Sequence, residues 1–149
     1  MKGLKFMAKA LGYYTYTGTT QIAAGETAPL TNTIRQYGNC IRLRNNAVII
    51  GTPGCPCVSE PACGYYTVSV NTTLVASAAG AVTVSLYQDG QLVPGAVQSA
   101  TAAAENDMMN FAITAPVRVY RGQTSSKLQI YVNSQQVNTM NVAMEVVKE

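Results

Sequence analysis

Apolar and polar positions alternate with period two along most of this chain, most clearly between Gly64 and Gly95. Tyr66, Val68, Val70, Thr72 and Leu74 alternate with Tyr65, Thr67, Ser69, Asn71 and Thr73. Further on, Val82, Val84 and Leu86 alternate with Ala81, Thr83, Ser85 and Tyr87. Successive strand side chains point to opposite faces, so the pattern predicts two strands, each with one buried and one wetted face. Ser77-Ala78-Ala79-Gly80 is a small, flexible break between them. Asp89-Gly90 follows the second strand as a two-residue hairpin signal.

The same alternation predicts a first strand over Tyr13–Thr20 and a turn at Ala24-Gly25-Glu26. Ala28–Thr33 reads as a loop or short edge strand, where Pro29 is tolerated. Ile34–Gly38 leads into a strand at Cys40–Arg44, with Ile41 and Leu43 inward and Cys40, Arg42 and Arg44 outward. Asn45-Asn46 turns the chain into Ala47–Ile50. Later strands are expected at Ala96–Ala104, Met108–Ala115 with Pro116 as a break, Leu128–Val132 and Asn141–Lys148. That makes about nine to ten short strands, the signature of an antiparallel sandwich or jelly roll. Only Lys2–Leu11 has helical spacing: Leu4, Met7, Ala8 and Leu11 share one face and Lys2, Lys5 and Lys9 another. It is too short to be stable alone. The expected division is a basic amphipathic arm over 1–12 and one all-β domain over 13–149.

Charged residues make up 11% of the chain, against an average of roughly 25%, and Ala, Thr, Ser, Asn and Gln fill the polar positions. Such a surface suits burial in an oligomer or larger assembly. Net charge is +3, and Lys2, Lys5 and Lys9 carry that excess. Seven basic and seven acidic residues balance in the body, which therefore lacks the basic stripe of a nucleic-acid binder. No stretch approaches the roughly 20 apolar residues of a membrane span. Lys5 and Lys9 interrupt what would be a signal-peptide core, so synthesis and retention in the cytoplasm until assembly or release are expected.

Catalytic chemistry is sparse. The chain has no histidine, which removes histidine-based triads and histidine metal sites. Glu105 and Asp107 flank one turn, whereas a glycosidase pair must face each other across a sugar. No phosphate-binding glycine loop is present. No catalytic residue and no cofactor are therefore assigned. Four cysteines, Cys40, Cys55, Cys57 and Cys63, three of them in the proline-rich loop 51–63, leave several readings open. They are one or two disulfides stapling that loop, free thiols, or thiolate ligands to zinc with the wrong spacing for a zinc ribbon. Cys55–Cys57 is the poorest pair, because Pro56 closes a very small ring. Asn71-Thr72-Thr73 is a glycosylation sequon by pattern alone.

Gly64-Tyr65-Tyr66, then Asn71-Thr72-Thr73, then Val84-Ser85-Leu86-Tyr87-x-Asp89-Gly90-x-x-Val93-Pro94-Gly95-Ala96 resembles the trimeric jelly-roll heads of the tumour-necrosis-factor-like superfamily. Among these it resembles bacteriophage structural proteins of phages infecting Firmicutes and the heads of collagen-like spore-surface glycoproteins. The resemblance spans roughly Tyr37 to Val147. It implies a homotrimer with aromatic residues around the three-fold axis, for which Tyr65, Tyr131 and Met144 are the candidates. It also implies a virion-surface protein of a bacteriophage, either a capsid decoration or a short head fibre. Lys2, Leu4, Lys5, Met7, Lys9 and Leu11 would then anchor it to the major capsid protein or another virion protein. The alternatives are a receptor- or carbohydrate-binding head contacting a host-surface glycan through Cys55–Cys63 or Arg121–Ser126, and a β-sandwich hydrolase.

Overall fold

The computed structural model describes residues 10–38, 40–51, 64–120 and 125–149. Among these residues twelve strands occur: β1 (Leu11–Thr17), β2 (Gln21–Ile22), β3 (Glu26–Thr27), β4 (Asn32–Tyr37), β5 (Ile41–Arg44), β6 (Ala47–Ile50), β7 (Gly64–Ala76), β8 (Gly80–Gln88), β9 (Gln91–Ala102), β10 (Met108–Val119), β11 (Ser126–Asn133) and β12 (Val137–Lys148). No helix occurs among the described residues. The first sheet runs β10-β7-β12-β1-β4 with β2 on β12, and the second β5-β6-β11-β8-β9 with β3 on β11. Every pairing is antiparallel. Two antiparallel sheets packed face to face, with partners distant in sequence, make a jelly-roll sandwich.

The core follows the period-two pattern. Tyr66, Val68, Val70, Thr72 and Leu74 are buried along β7, as are Val82, Val84 and Leu86 along β8. Leu128, Ile130 and Val132 come in from β11, and Val142, Met144 and Val146 from β12. Tyr14 lies inward on β1 with its ring over Gly12, where an added Cβ would sit 2.5 Å from ring atoms. Its hydroxyl donates to Gln36 Oε1 at 3.0 Å. Burial pushes that hydroxyl up to about 12, against the opposing pull of the Arg42 charge.

Two turns behave as the sequence requires. Asp89 and Gly90 have φ of 52° and 82°, the left-handed pair of a tight hairpin, and Gln88 pairs with Gln91 across them. Asn45 and Asn46 have φ of 50° and 62°, and residues 41–44 pair with 47–50 around them.

Several boundaries differ from expectation. The first strand starts at Leu11, not Tyr13: Leu11 pairs with Val147 and Tyr37, and Gly12 with Val146 and Gln36. Leu11 and Gly12 therefore belong to the sheet and not to an amphipathic arm, because the ladders on either side already extend to them. Asn32–Tyr37 is a strand in its own right at the edge of the first sheet, and all six residues are exposed. Pro116 does not break β10. It sits opposite Thr67 with its nitrogen on the open edge, where no ladder hydrogen bond is lost. Cys40 is buried rather than outward, at 5% exposure.

Candidate interaction surfaces

Strand registers fix which side chains share the outer face of the first sheet. One row reads Pro116, Thr67, Val147, Leu11 and Tyr37 across β10, β7, β12, β1 and β4. The next reads Thr114, Ser69, Glu145, Tyr13 and Arg35, and the third Ala112, Asn71, Ala143, Thr15 and Asn32. On the three central strands of these rows Glu145 is the only charged residue. Exposed large apolar residues, Tyr37, Tyr65 and Met108 among them, lie towards the rim. Exposed faces of soluble monomers normally carry interspersed charges of both signs; this one is nearly neutral.

The three proposed axis residues do not come together. Met144 is fully buried between the sheets, because it has the same parity as Val142 and Val146, and it cannot line an axis between copies. Tyr65 is exposed on the outer face of the first sheet. Tyr131 lies on the outer face of the second, its ring 4.3 Å from that of Tyr87. The two tyrosines thus sit on opposite sides of the sandwich. Of the proposed anchor residues, Lys2, Leu4, Lys5, Met7 and Lys9 lie outside the described residues, and Leu11 is a strand residue.

Cys40 is disulfide-bonded, so it is neither a free thiol nor a zinc thiolate. Cys55, Cys57 and Cys63 lie outside the described residues, as do most of the loops named as alternative binding sites. No group of three or more acidic, cysteine or histidine side chains that could hold a metal ion occurs among the described residues. Asp107 is a turn staple: its carboxylate accepts from the amides of Ala103 and Ala104 at 2.7 and 3.2 Å. Asp89 does similar work, accepting from Ser126 Oγ and the Lys127 amide, both at 2.8 Å.

One cluster was not foreseen from the sequence. Arg118, opposite Tyr65 on the adjacent strand, has its guanidinium 5.3 Å from the Tyr65 ring centroid and 4.5 Å from that of Tyr120. Beside it a cleft of about 260 Å³ opens where the edge strands β9 and β10 approach, walled by Leu92, Pro94, Pro116 and Tyr120. The spacing Arg118-Val-Tyr120 puts both side chains on one strand face. Bringing Tyr65 there depends on a register that no local pattern encodes.

No family model matches the chain, and no curated protein matches it. Solved structures do. The chain is similar to Eiger TNF from S. frugiperda (TM-score 0.65, 10% identity, 95% of this chain and 91% of that one). It is also similar to the globular domain of zebrafish complement 1qA protein (0.61, 9%, 93% and 94%). A third match is PRD1 vertex protein P5 (0.54, 11%, 93% and 96%). At these identities the likeness is one of fold alone: an antiparallel jelly-roll sandwich.

Proposed function

We propose that this protein is a non-enzymatic trimeric jelly-roll head and a structural component of a bacteriophage virion surface, as a capsid decoration or short head fibre. The observation that carries the reading is the near-neutral outer face of the first sheet. Its central rows hold Thr, Ser, Asn and Ala around a single carboxylate, and contact with further copies would cover it. The fold match to a phage vertex protein and the bonded state of Cys40, which suits life outside a reducing cytosol, support the location. Lys2, Leu4, Lys5, Met7 and Lys9 supply the anchor in this reading, docking on an acidic shell surface. They precede Ala10, whose carbonyl accepts from the Lys148 amide at 3.0 Å, so Ala10 and the C-terminal strand meet at one end of the sandwich.

Native mass by light scattering tests the head. A trimer of about 47 kDa, three times 15.8 kDa, is expected, and it should survive removal of residues 1–9. A monomer would overturn the reading. A trimer lost on truncation would move the arm from anchoring to self-assembly.

A further inference from the structure

The geometry points to a binding site for a carboxylated sugar residue in the cleft between β9 and β10, with Arg118 as the carboxylate receptor. The guanidinium lies over both tyrosine rings, which engage its charge through their π faces and form no hydrogen bond to its donor fork, the group that pairs with a carboxylate bidentately. Those rings are the guanidinium's only partners among the described residues. The volume, about 260 Å³, falls below the roughly 300–1,000 Å³ of pockets that enclose drug-sized ligands. It suits a single ring.

The walls argue for a sugar over a peptide. An extended peptide joins an edge strand through main-chain hydrogen bonds, yet both edges carry a proline here, Pro94 on β9 and Pro116 on β10. Neither proline has an N–H to give. Each proline breaks the run of main-chain donors such a peptide would use, which shifts recognition towards side chains. Tyr120 and Leu92 are 57% and 42% exposed and offer apolar surface for a sugar face. Gln88 commits its carboxamide nitrogen to the Arg118 carbonyl and Ser126 Oγ, at 3.0 and 2.9 Å. Its carbonyl oxygen is left as an acceptor for a hydroxyl. The site goes beyond the structural role proposed above, and it lies on the flank of the sandwich.

The test is calorimetric titration of the full chain with methyl β-D-glucuronide, methyl β-D-glucoside and acetate, on wild type and on Arg118→Gln, Arg118→Lys and Tyr120→Ala. Glucuronide should bind at least about tenfold more tightly than either control, since glucoside lacks the carboxylate for a bidentate pair and acetate lacks the ring that fills the cleft. Arg118→Gln should abolish that preference, Arg118→Lys should retain part of it, and Tyr120→Ala should weaken it. Equal binding of glucoside and glucuronide, or a preference unchanged in Arg118→Gln, would overturn the site. So would no binding of any probe, and that result with an intact native trimer leaves the head reading standing. A change of native mass in Arg118→Gln would assign the cluster to contact between copies and sink the proposal.

Discussion

At the scale of single residues, the buried hydroxyls of Thr72 and Tyr14 each carry a consequence. Thr72 is 2% exposed, and its hydroxyl has no hydrogen-bond partner; on β7 it lies opposite Phe111 on one side and Val142 on the other. A buried hydroxyl left unpaired costs roughly 1–3 kcal/mol, and valine has the same shape without the cost. Thr72→Val should therefore stabilise the fold by about 1 kcal/mol, read as a higher urea midpoint at unchanged slope. A lower midpoint would mean that the hydroxyl is satisfied in solution. Tyr14 gives a pH dependence. Its hydroxyl moves from 10.0 to about 12 on folding, through burial, so the folded chain keeps a proton that the unfolded chain releases. The associated stability is fully present below pH 10 and is lost as pH rises towards 12. Tyr14→Phe should show a shallower fall in stability over that window than wild type, even though it also loses the bond to Gln36. Parallel curves in alkaline denaturation would exclude Tyr14 as the cause.

At the scale of elements, the two twelve-residue strands β9 and β10 are sheet edges that invite pairing with other chains. Three features blunt them. Pro94 and Pro116 remove donors, and Gln98 Oε1 accepts from the Ala112 amide at 2.8 Å, occupying an edge N–H two pairs away from Pro116. Residues 112 and 116 share parity, so the Pro116 nitrogen faces the same open side. Restoring both donors with Gln98→Ala plus Pro116→Thr should give concentration-dependent aggregates detectable by light scattering; a variant that stays at native mass would show that the edge is protected by something else. These elements also show what could be read in advance. Strands with one buried face, β7, β8, β11 and β12, were legible because burial writes a period of two into the sequence. β4 was not, since an edge strand exposed at all six positions leaves no such pattern. Pro116 was misread as a break because edge position comes from long-range pairing. Met144 showed its inward parity through Val142 and Val146. Tyr65 and Tyr131 were placed on one axis because alternation assigns a residue to a face without saying which sheet that face belongs to. The Arg118 cluster waited for the same long-range register.

At the scale of the whole molecule, the registers give the sandwich two unlike ends. Ala10, Lys148, Gly64 and Val119 meet at one: the Lys148 amide bonds to Ala10, the Glu149 amide bonds to the Tyr65 carbonyl at 3.0 Å, and Val119 pairs with Gly64. Arg118 and Lys148 lie there, while Glu105 and Asp107 lie at the far turn, where the Asn106 amide bonds to the Ala76 carbonyl. Between the ends stretches the near-neutral face, with Ala143 at its middle, opposite Asn71 on one side and Thr15 on the other. Ala143 is 5% exposed, although its side chain points away from the core, so its larger neighbours already shield it. An arginine there would have to project its charge from the middle of the face. A free sheet surface tolerates that, because the guanidinium reaches water. A face closed against another copy does not, since it would bury an unpaired charge. Ala143→Arg should therefore reduce the native mass from about 47 kDa towards the 15.8 kDa of one chain, while far-ultraviolet circular dichroism keeps the β signature. Retention of a trimer by this variant would mean that copies meet elsewhere, and would detach the oligomer from the surface used here to argue for it.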